Sequence, residues 1–498
     1  MLNYVLLKYN LVNHDLVNNN FLSEALYVVG RQKELKVLND RYQSEQFEMV
    51  VIYGRRRIGK TALINRFIEN KKALYFVGVE NSAKQNLENL SRVIFDFNDT
   101  VRSPDGLSFE SFQSAFEYLF KLSLKERIIV VIDEYPYLAN SEKSIASILQ
   151  NCIDRYKDQS HLMLILCGSS MSFMEDEVLS YKAPLHGRRT AQIKLQGFSF
   201  QEVCALNHTF SPQDQAMIFG IWGSTPQYLR QINPNLSVLE NIAETFLNAS
   251  SFLYEEPENL LRQECRQAAQ YNAVTGAIAA GASRLVDIAN KTGLDTALCS
   301  HHLKTLQALG LVRRESPYGE ENRKKSLYVF DDHLFRFWYR FIPKNAALIE
   351  RGAVDLVLKR IQPGLSEIMG PVFEDICSQY LWHLCLTGQC PVEFADIGRW
   401  WGSDLKTKSP IEIDLFAQVG LEDSLFAECK WRQELVDQSV LKSLISKSSL
   451  FRHYQKYYFL FAKNGFTHSC TDFSKSVQTC RLVTYQQMHE EYFGQIVG

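Results

Sequence analysis

The feature that most constrains this chain is a glycine-rich segment that follows an apolar run of strand length. Residues 54–61 read G-R-R-R-I-G-K-T and fit the pattern G-x-x-x-x-G-K-[ST] without a mismatch. They stand between the apolar run 48–53 and a helical pattern over 60–69. Such a loop wraps its backbone N–H groups round phosphates, and the positive end of the following helix adds to the field. The segment therefore predicts a nucleotide site in an α/β domain rather than a chance glycine turn.

The roles within this loop follow from phosphate chemistry. We expect Lys60 to reach the β- and γ-phosphates of ATP as a catalytic cation, and the Thr61 hydroxyl to bind Mg²⁺. The predicted nucleotide-binding residues of the loop are Gly54, Arg55, Arg56, Arg57, Ile58, Gly59, Lys60, Thr61 and Ala62.

Polar residues at the ends of two further apolar runs complete the predicted nucleotide site. The run 128–132 ends in Asp133 and Glu134, and the run 164–167 leads to Ser169. We expect Asp133 to hold Mg²⁺, Glu134 to orient or deprotonate the attacking water, and Ser169 to sense the γ-phosphate. Arg188 and Arg189 are candidates to stabilise transferred phosphate, in cis or from a neighbouring subunit. The alternatives are a turn signal, a chance polar residue and a solvated arginine pair.

The composition excludes several classes of protein. With 54 basic and 56 acidic residues the net charge is −2, which excludes a chain that is basic as a whole but permits a local basic patch. Eleven cysteines without a C-x-x-C pair indicate reduced core thiols and disfavour zinc. No signal peptide or run of about 20 apolar residues stands out, so we expect a cytoplasmic protein without a membrane partner.

The middle of the chain has the pattern of a winged helix-turn-helix. Helical patterns over 283–290 and 296–309 flank a turn at 292–295, and short strands at 311–314 and 326–330 flank a polar tip. The region 283–330 holds eight basic and five acidic residues, which leaves +3. DNA contact is therefore one interpretation, and packing or nucleotide sensing is the other. The second helix is predicted to face outward with Ser300, His301, His302, Lys304 and Gln307, and the tip to present Arg323, Lys324 and Lys325.

Acidic and basic side chains near the C-terminus form a second constellation. Alternation over 410–415 puts Asp414 on one strand face with Glu412, and the strand 426–431 puts Glu428 and Lys430 on one face. Glu374 is predicted to open a helix after Gly370-Pro371. We expect Asp414 and Glu428 to bind Mg²⁺, Glu374 to assist, and Lys430 to position the attacking water. A solvated sheet face is the alternative.

Taken together, these segments carry a resemblance to a known family. The chain resembles the archaeal-type ATPases, a branch of AAA+ and STAND-like P-loop ATPases, with a C-terminal domain similar to PD-(D/E)xK nucleases, although Ile413 replaces the proline before the strand aspartate. The resemblance covers nearly the whole chain after residue 26. It implies that Pro226, in a Gly-x-Pro-like turn whose spacing differs by one residue, lies near the adenine. The segments that carry it are residues 27–31, 53–61, 132–138, 167–170, 187–190, 223–229 and 335–338.

The predicted fold class is α/β, with a P-loop AAA+ ATPase core, a helical lid, a winged helix-turn-helix and a restriction-endonuclease-like α/β domain. The predicted boundaries are 1–26 for an N-terminal extension, 27–200 for the ATPase core, 201–263 for the lid, 264–335 for the winged helix, 336–369 for a linker and 370–498 for the nuclease-like domain.

Three hypotheses of function remain open. The first is an ATP-hydrolysing, Mg²⁺-dependent enzyme that acts on DNA and couples its nucleotide state to cleavage. The second is a regulatory ATPase switch that binds DNA or protein without cutting, and the third is a nucleotide-binding scaffold with negligible turnover. Glu134 disfavours the scaffold, since a scaffold needs no water-orienting carboxylate. A homo-oligomer is required if an arginine acts in trans.

Overall fold

The computed structural model describes residues 30–98, 108–320, 325–403, 408–420, 422–452 and 454–494. The chain divides into two compact units, and the boundary lies between Gln196 and Gly197. The predicted extension 1–26, the family segment 27–29 and the basic tip residues Arg323 and Lys324 lie outside the described residues.

The first unit is built on a parallel five-stranded sheet in the order β2-β3-β4-β1-β5. Every residue of β1, β3 and β4 is buried, as expected of central strands covered on both faces. The prediction of a parallel α/β core is thereby confirmed. The strands are β1 (Glu48–Tyr53), β2 (Ala73–Val77), β3 (Ile128–Asp133), β4 (Leu162–Gly168) and β5 (Ala191–Lys194).

Helices cover both faces of this sheet and divide its apolar residues into two cores. Because β4 lies between β1 and β3, the ends of these three strands meet at one edge. The helices are α1 (Gln32–Gln43), α2 (Lys60–Ile68), α3 (Ala83–Phe97), α4 (Phe112–Leu122), α5 (Tyr135–Ser141), α6 (Ile145–Tyr156) and the short α7 (Met171–Phe173), which continues as a π-helix over Met174–Leu179.

The second unit begins with consecutive helices, over the segment 201–263 that was predicted to be helical. All of the first five have a serine or threonine at the N-cap, and three of these serines also accept a cap hydrogen bond. The helices are α8 (Phe200–Leu206), α9 (Pro212–Trp222), α10 (Pro226–Leu229), α11 (Val238–Phe246), α12 (Phe252–Glu264) and α13 (Ala268–Ala279).

The next segment contains two helices and an antiparallel hairpin: α14 (Leu285–Thr292), α15 (Thr296–Ala308), β6 (Val312–Glu315) and β7 (Leu327–Phe330). Gly293 ends α14 in a left-handed conformation (φ 71°), which glycine adopts without steric cost. The outward orientation predicted for His302 is wrong. Its ring is buried and contacts Gln270 at 2.7 Å, because the inward face follows Cys299, His302, Leu303 and Leu306.

Two long helices follow, α16 (His333–Ile349) and α17 (Val354–Leu386). Most of the predicted linker 336–369 is therefore helical. The prediction that a helix opens after Gly370-Pro371 is wrong, because α17 runs on through Pro363 and Pro371 and carries Glu374 in its second half. A proline inside a helix costs about 3 kcal/mol, and the buried apolar residues on both sides of Pro371 offset that cost.

The chain ends in a mixed five-stranded sheet in the order β12-β11-β10-β9-β8. Its β8–β9 and β9–β10 pairs are antiparallel, and its β10–β11 and β11–β12 pairs are parallel. The predicted strand segment 410–415 lies in β9, and the predicted segment 426–431 overlaps β10. The elements are β8 (Gly398–Ser403), β9 (Pro410–Val419), β10 (Asp423–Lys430), α18 (Gln438–Ser448), β11 (Gln455–Ala462), α19 (His468–Lys475), β12 (Cys480–Thr484) and α20 (Tyr485–Met488), followed by a π-helical turn over His489–Phe493.

The segment between β6 and β7 packs on this sheet. The Tyr318 amide donates to the Arg399 carbonyl at 2.9 Å, and the Tyr318 ring meets Phe416 edge-on with centroids 5.1 Å apart. An ion pair of 3.8 Å joins Arg399 to Glu315 in β6. In the part of the chain that the structure describes, no helix combines the length and apolarity that crossing a membrane requires.

Candidate functional sites

The glycine-rich loop joins β1 to α2 in a conformation that glycine permits. Gly59 is left-handed (φ 92°), and a Cβ at Gly54 would stand 2.6 Å from the Leu195 carbonyl oxygen. Lys60 is buried, and its Nζ donates to the carbonyls of Gly54 (2.8 Å) and Arg55 (3.1 Å). The ammonium group therefore lies inside the curve of the loop, where phosphate oxygens would replace these carbonyls as its acceptors.

The strand ends bring the predicted acidic residues to this loop. Thr61 Oγ1 donates to Asp133 Oδ2 at 3.2 Å, although β1 and β3 are not neighbours in the sheet. A hydroxyl and a carboxylate this close can reach one cation, and both are hard oxygen ligands of the kind Mg²⁺ prefers. The pair therefore fits Mg²⁺ bound together with nucleotide phosphates.

Ser169 and Glu134 also meet at this edge. Ser169 Oγ contacts both carboxylate oxygens of Glu134, at 2.9 and 3.1 Å. Glu134 itself is left-handed (φ 49°), a conformation that costs a non-glycine residue on the order of 1 kcal/mol and is enriched at functional sites. The serine therefore fixes the orientation of the carboxylate predicted to activate water.

Three side chains at this site were missed by sequence reasoning. Tyr75 in β2 donates its hydroxyl to Asp133 Oδ2, and Tyr137 accepts from Arg56 Nη2 at 2.9 Å. Arg31 is buried and donates to the carbonyls of Ile58 (3.2 Å) and Gln196 (2.8 Å). A tyrosine inside the apolar strand β2 was an available signal, whereas nothing in the sequence pattern points from Arg31 to the loop.

The remaining predicted nucleotide residues lie elsewhere. Arg188 forms a two-point contact with Asp154 on α6, at 3.1 and 2.8 Å, and Arg189 donates to the Leu179 carbonyl at 3.0 Å. These contacts do not involve the loop 54–61. Pro226 begins α10 in the second unit, so its predicted contact with adenine remains a prediction.

The second site lies on the C-terminal sheet. Lys430 Nζ contacts Glu428 Oε1 at 2.7 Å and Asp414 Oδ2 at 3.4 Å, which brings together the three residues that the strand pattern predicted. Both carboxylates are 7% exposed, and the Cys429 amide also donates to Asp414 Oδ2 at 2.7 Å. Antiparallel pairing of β9 with β10 is what places these groups side by side.

Burial and mutual repulsion perturb the acids of this second site. Burial and the nearby charge of Asp414 raise the pKa of Glu374, on α17, to about 8. Burial and the charge of Glu428 also raise the pKa of Asp414. Burial lowers the pKa of Lys430, but the two carboxylates outweigh it and the pKa is raised. Such a set of acids favours a cation, since a cation stabilises their ionised forms.

A further lysine, which sequence reasoning missed, also binds these acids. Lys447 on α18 contacts Glu428 Oε2 at 3.0 Å. Within the described ranges, no three His, Cys, Asp or Glu side chains are arranged to hold a metal ion. Lys430 thus contacts both Asp414 and Glu428, and Lys447 contacts Glu428.

An open cavity of about 1000 Å³ borders this site. Asp414, Glu428 and Lys430 line its sheet side, and Ser443, Ser446 and Lys447 line its helix side. Glu412, which shares the face of Asp414, also lines the cavity and accepts from Arg399 Nε at 2.6 Å. The acids are thus accessible to a ligand larger than water.

Comparison with known proteins found matches to two families and to a solved structure. A family described as an ATPase domain predominantly from Archaea matches residues 28–232, and a family described as archaeal and bacterial proteins of unknown function matches 338–443. A solved Walker-type ATPase of Pyrococcus abyssi is 17% identical with a TM-score of 0.47, over 63% of this chain and 96% of that chain.

Two relatives come from Methanocaldococcus jannaschii. An uncharacterised ATP-binding protein is 46% identical over 44 residues, which are 9% of this chain and 75% of the relative. An uncharacterised protein is 32% identical over 442 residues, which are 87% of this chain and 95% of the relative. The extent of this last match, together with the family match over 28–232, shows that the chain belongs to the archaeal-type ATPase family.

Proposed function

We propose that this protein hydrolyses ATP at the first site and hydrolyses phosphodiester bonds of DNA at the second. The observation that carries the proposal is the contact of Lys430 with both Asp414 and Glu428, two buried acids on neighbouring strands beside an open cavity. A merely solvated sheet face would leave such charges exposed, because burial of carboxylates is costly.

At the first site, side chains of the protein position the phosphates of ATP and the attacking water, and one of them accepts a proton. Lys60 stabilises the negative charge that develops on the β- and γ-phosphates. Glu134, held by Ser169, orients the attacking water and receives its proton. Thr61 and Asp133 would hold Mg²⁺, which neutralises phosphate charge when it is bound.

At the second site, Asp414 and Glu428 would hold Mg²⁺, with Glu374 assisting. The ion would there lower the pKa of a bound water and stabilise charge at the scissile phosphate. Lys430 orients the water and donates to the phosphate oxygen that gains charge. The raised pKa of Glu374 favours its protonated form, and a bound cation would favour the ionised form.

The helix pair α14–α15 and the hairpin β6–β7 have the order of elements of a winged helix, and we propose that they contribute to DNA binding. Lys304 is exposed on α15. By contrast, Lys325 pairs with Glu320 at 2.7 Å, and Arg313 pairs with acids that include Asp375 at 3.5 Å. The support therefore rests on α15 more than on the hairpin.

Cleavage of plasmid and linear DNA with Mg²⁺ or Mn²⁺, with and without ATP, tests the proposal. We expect wild type to cut, Asp414→Asn to lose cutting while retaining ATP hydrolysis, and Lys60→Ala to lose both hydrolysis and the ATP dependence of cutting. Intact ATP hydrolysis without cutting under either metal would overturn the nuclease assignment.

A second candidate function is a regulatory switch that binds nucleic acid or protein without cutting. The observation in its favour is that Lys430 and Lys447 already neutralise the acids of the second site. Metal titration followed by Mn²⁺ electron paramagnetic resonance separates the two functions. An Mn²⁺ site that disappears in Asp414→Asn supports the nuclease, and the absence of such a site supports the switch.

A further inference from the structure

The helix α18 forms one wall of the cavity at the second site, and serine residues recur along that wall. Ser443, Ser446 and Ser449 follow one another at intervals of three residues, so their hydroxyls lie along one face. All three are exposed, as is Arg452 beyond the helix end. A row of hydroxyls beside cationic groups is the arrangement with which proteins contact phosphate oxygens.

The length of this row suits a polymer rather than a small ligand. From Ser443 to Ser449 the helix rises about 9 Å, which corresponds to about three steps of one nucleic-acid strand. Leu450 and Arg452 continue the wall beyond the helix end.

The described residues of the same wall offer no platform for base stacking. Among the described residues that line the cavity, there is no aromatic side chain on which an unstacked base could lie. Single-strand binding proteins depend on such stacking. Duplex binding through the sugar–phosphate backbone needs hydroxyl and cationic groups alone.

From these observations we propose that the wall formed by Ser443, Ser446, Lys447, Ser449 and Arg452 binds the phosphate backbone of duplex DNA. This inference rests on the proposed nuclease function and names its substrate. The row would hold one strand so that a phosphodiester faces Asp414 and Glu428 across the cavity.

The chain offers a matched control on the same helix. Lys442 is exposed on α18, one residue before the serine row begins, but it lies over the Phe473 ring at 5.0 Å and does not line the cavity. Removing its charge alters the net charge of the protein by the same amount as removing that of Arg452.

The test measures duplex binding by the full chain in the Asp414→Asn background, with Ca²⁺, at several salt concentrations. The probe is a 30-base-pair DNA of random sequence, compared with its single strand and with duplex RNA of the same length. We expect duplex DNA to bind most tightly. Arg452→Gln should weaken binding severalfold and lower the slope of log K against log salt by about 1, the value of one phosphate contact, and Lys442→Gln should change neither.

An equal change in both variants, or none in Arg452→Gln, would overturn this assignment, as would tighter binding of single strands or duplex RNA. Because the binding measurement needs no cutting, the two proposals can fail separately. Wild type that binds duplex DNA through Arg452 but never cuts would contradict the nuclease and support the wall. Cutting by wild type, together with binding that does not respond to Arg452→Gln, would support the nuclease and contradict the wall.

Discussion

The two sites of this chain hold charge by different means. At the nucleotide site, one continuous loop supplies the cradle, and its shape depends on backbone conformations such as the left-handed Gly59. The second site, in its described residues, assembles side chains from β9, β10, α17 and α18 whose charges balance one another. A site of the first kind should be sensitive to added atoms, and a site of the second kind to altered charge.

The largest expected effect concerns Glu134. Glu134→Gln removes the proton acceptor but preserves the size of the side chain and its contact with Ser169. We expect ATP hydrolysis to fall by about 10² to 10⁴-fold, the usual contribution of a positioned general base, while ATP binding persists. Steady-state phosphate release and fluorescent-nucleotide binding would check this. Undiminished hydrolysis would show that another group activates the water.

A smaller effect is expected from adding one carbon to the loop. Gly54→Ala places a Cβ against the Leu195 carbonyl oxygen, at 2.6 Å, so the loop must shift. We expect nucleotide affinity to fall at least about tenfold, or about 1.4 kcal/mol, by isothermal titration. As a control, Gly276→Ala adds a Cβ that meets nothing within 4 Å on a backbone that is not left-handed, and it should leave nucleotide affinity unchanged. Wild-type affinity in Gly54→Ala would mean that nucleotide binding does not depend on the close approach of the loop backbone at Gly54.

The second site should respond in the opposite direction when a cation is removed. Lys447→Met keeps the side-chain length but takes the ammonium group from Glu428. We expect Mn²⁺ to bind severalfold more tightly, because the acid loses its competing positive charge. The matched control Lys442→Met should leave Mn²⁺ affinity unchanged. Weaker binding in Lys447→Met would indicate that the lysine supports the cation site rather than competes with it.

The smallest expected effect concerns the loss of folding stability at acidic pH. The buried histidines in the described residues, His302 and His333, both belong to the second unit, and burial lowers the pKa of His302 below 6.5. Its neutral form therefore contributes stability above pH 6.5 that is lost as the pH falls through the lower folded pKa. His302 Nδ1 has no hydrogen-bond partner among the described residues, so a proton bound to it would have no acceptor.

We therefore expect His302→Gln to lose less stability than wild type between pH 7.5 and 5.5, by up to about 1 kcal/mol. Thermal unfolding at both pH values measures this. The exposed His208, which is distant in sequence from His302 and is not among the charges that act on it, provides the control, since His208→Gln should keep the wild-type dependence on pH. Parallel losses in wild type and His302→Gln would contradict the expectation.

The sequence allowed different parts of the two sites to be predicted. The loop and the Asp133–Glu134 pair could be predicted residue by residue, because contiguous motifs report backbone shape directly. Tyr75 was missed although a tyrosine in an apolar strand is a signal, because its particular contact with Asp133 depends on β2 lying beside β3. At the second site, strand alternation predicted the grouping of Asp414 with Lys430, whereas Lys447 is brought to Glu428 by the packing of α18 on β10, which no local pattern encodes.

The errors have a common physical cause. The start of a helix after Gly370-Pro371 was inferred from that glycine and proline, and the outward face of α15 was inferred from polarity. In both cases tertiary packing outweighed local preference: α17 continues because its apolar residues are buried, and His302 turns inward to Gln270.

The contact of the β6–β7 segment with the C-terminal sheet has a consequence for how such chains diverge. Tyr318 meets Phe416, and Glu315 meets Arg399, across some eighty to a hundred positions of sequence. A recombination event that exchanged only the last third of the gene would mismatch both pairs at once. Inheritance should therefore keep these two regions together, and substitutions at Tyr318 and Phe416 should arise in compensating pairs among descendants.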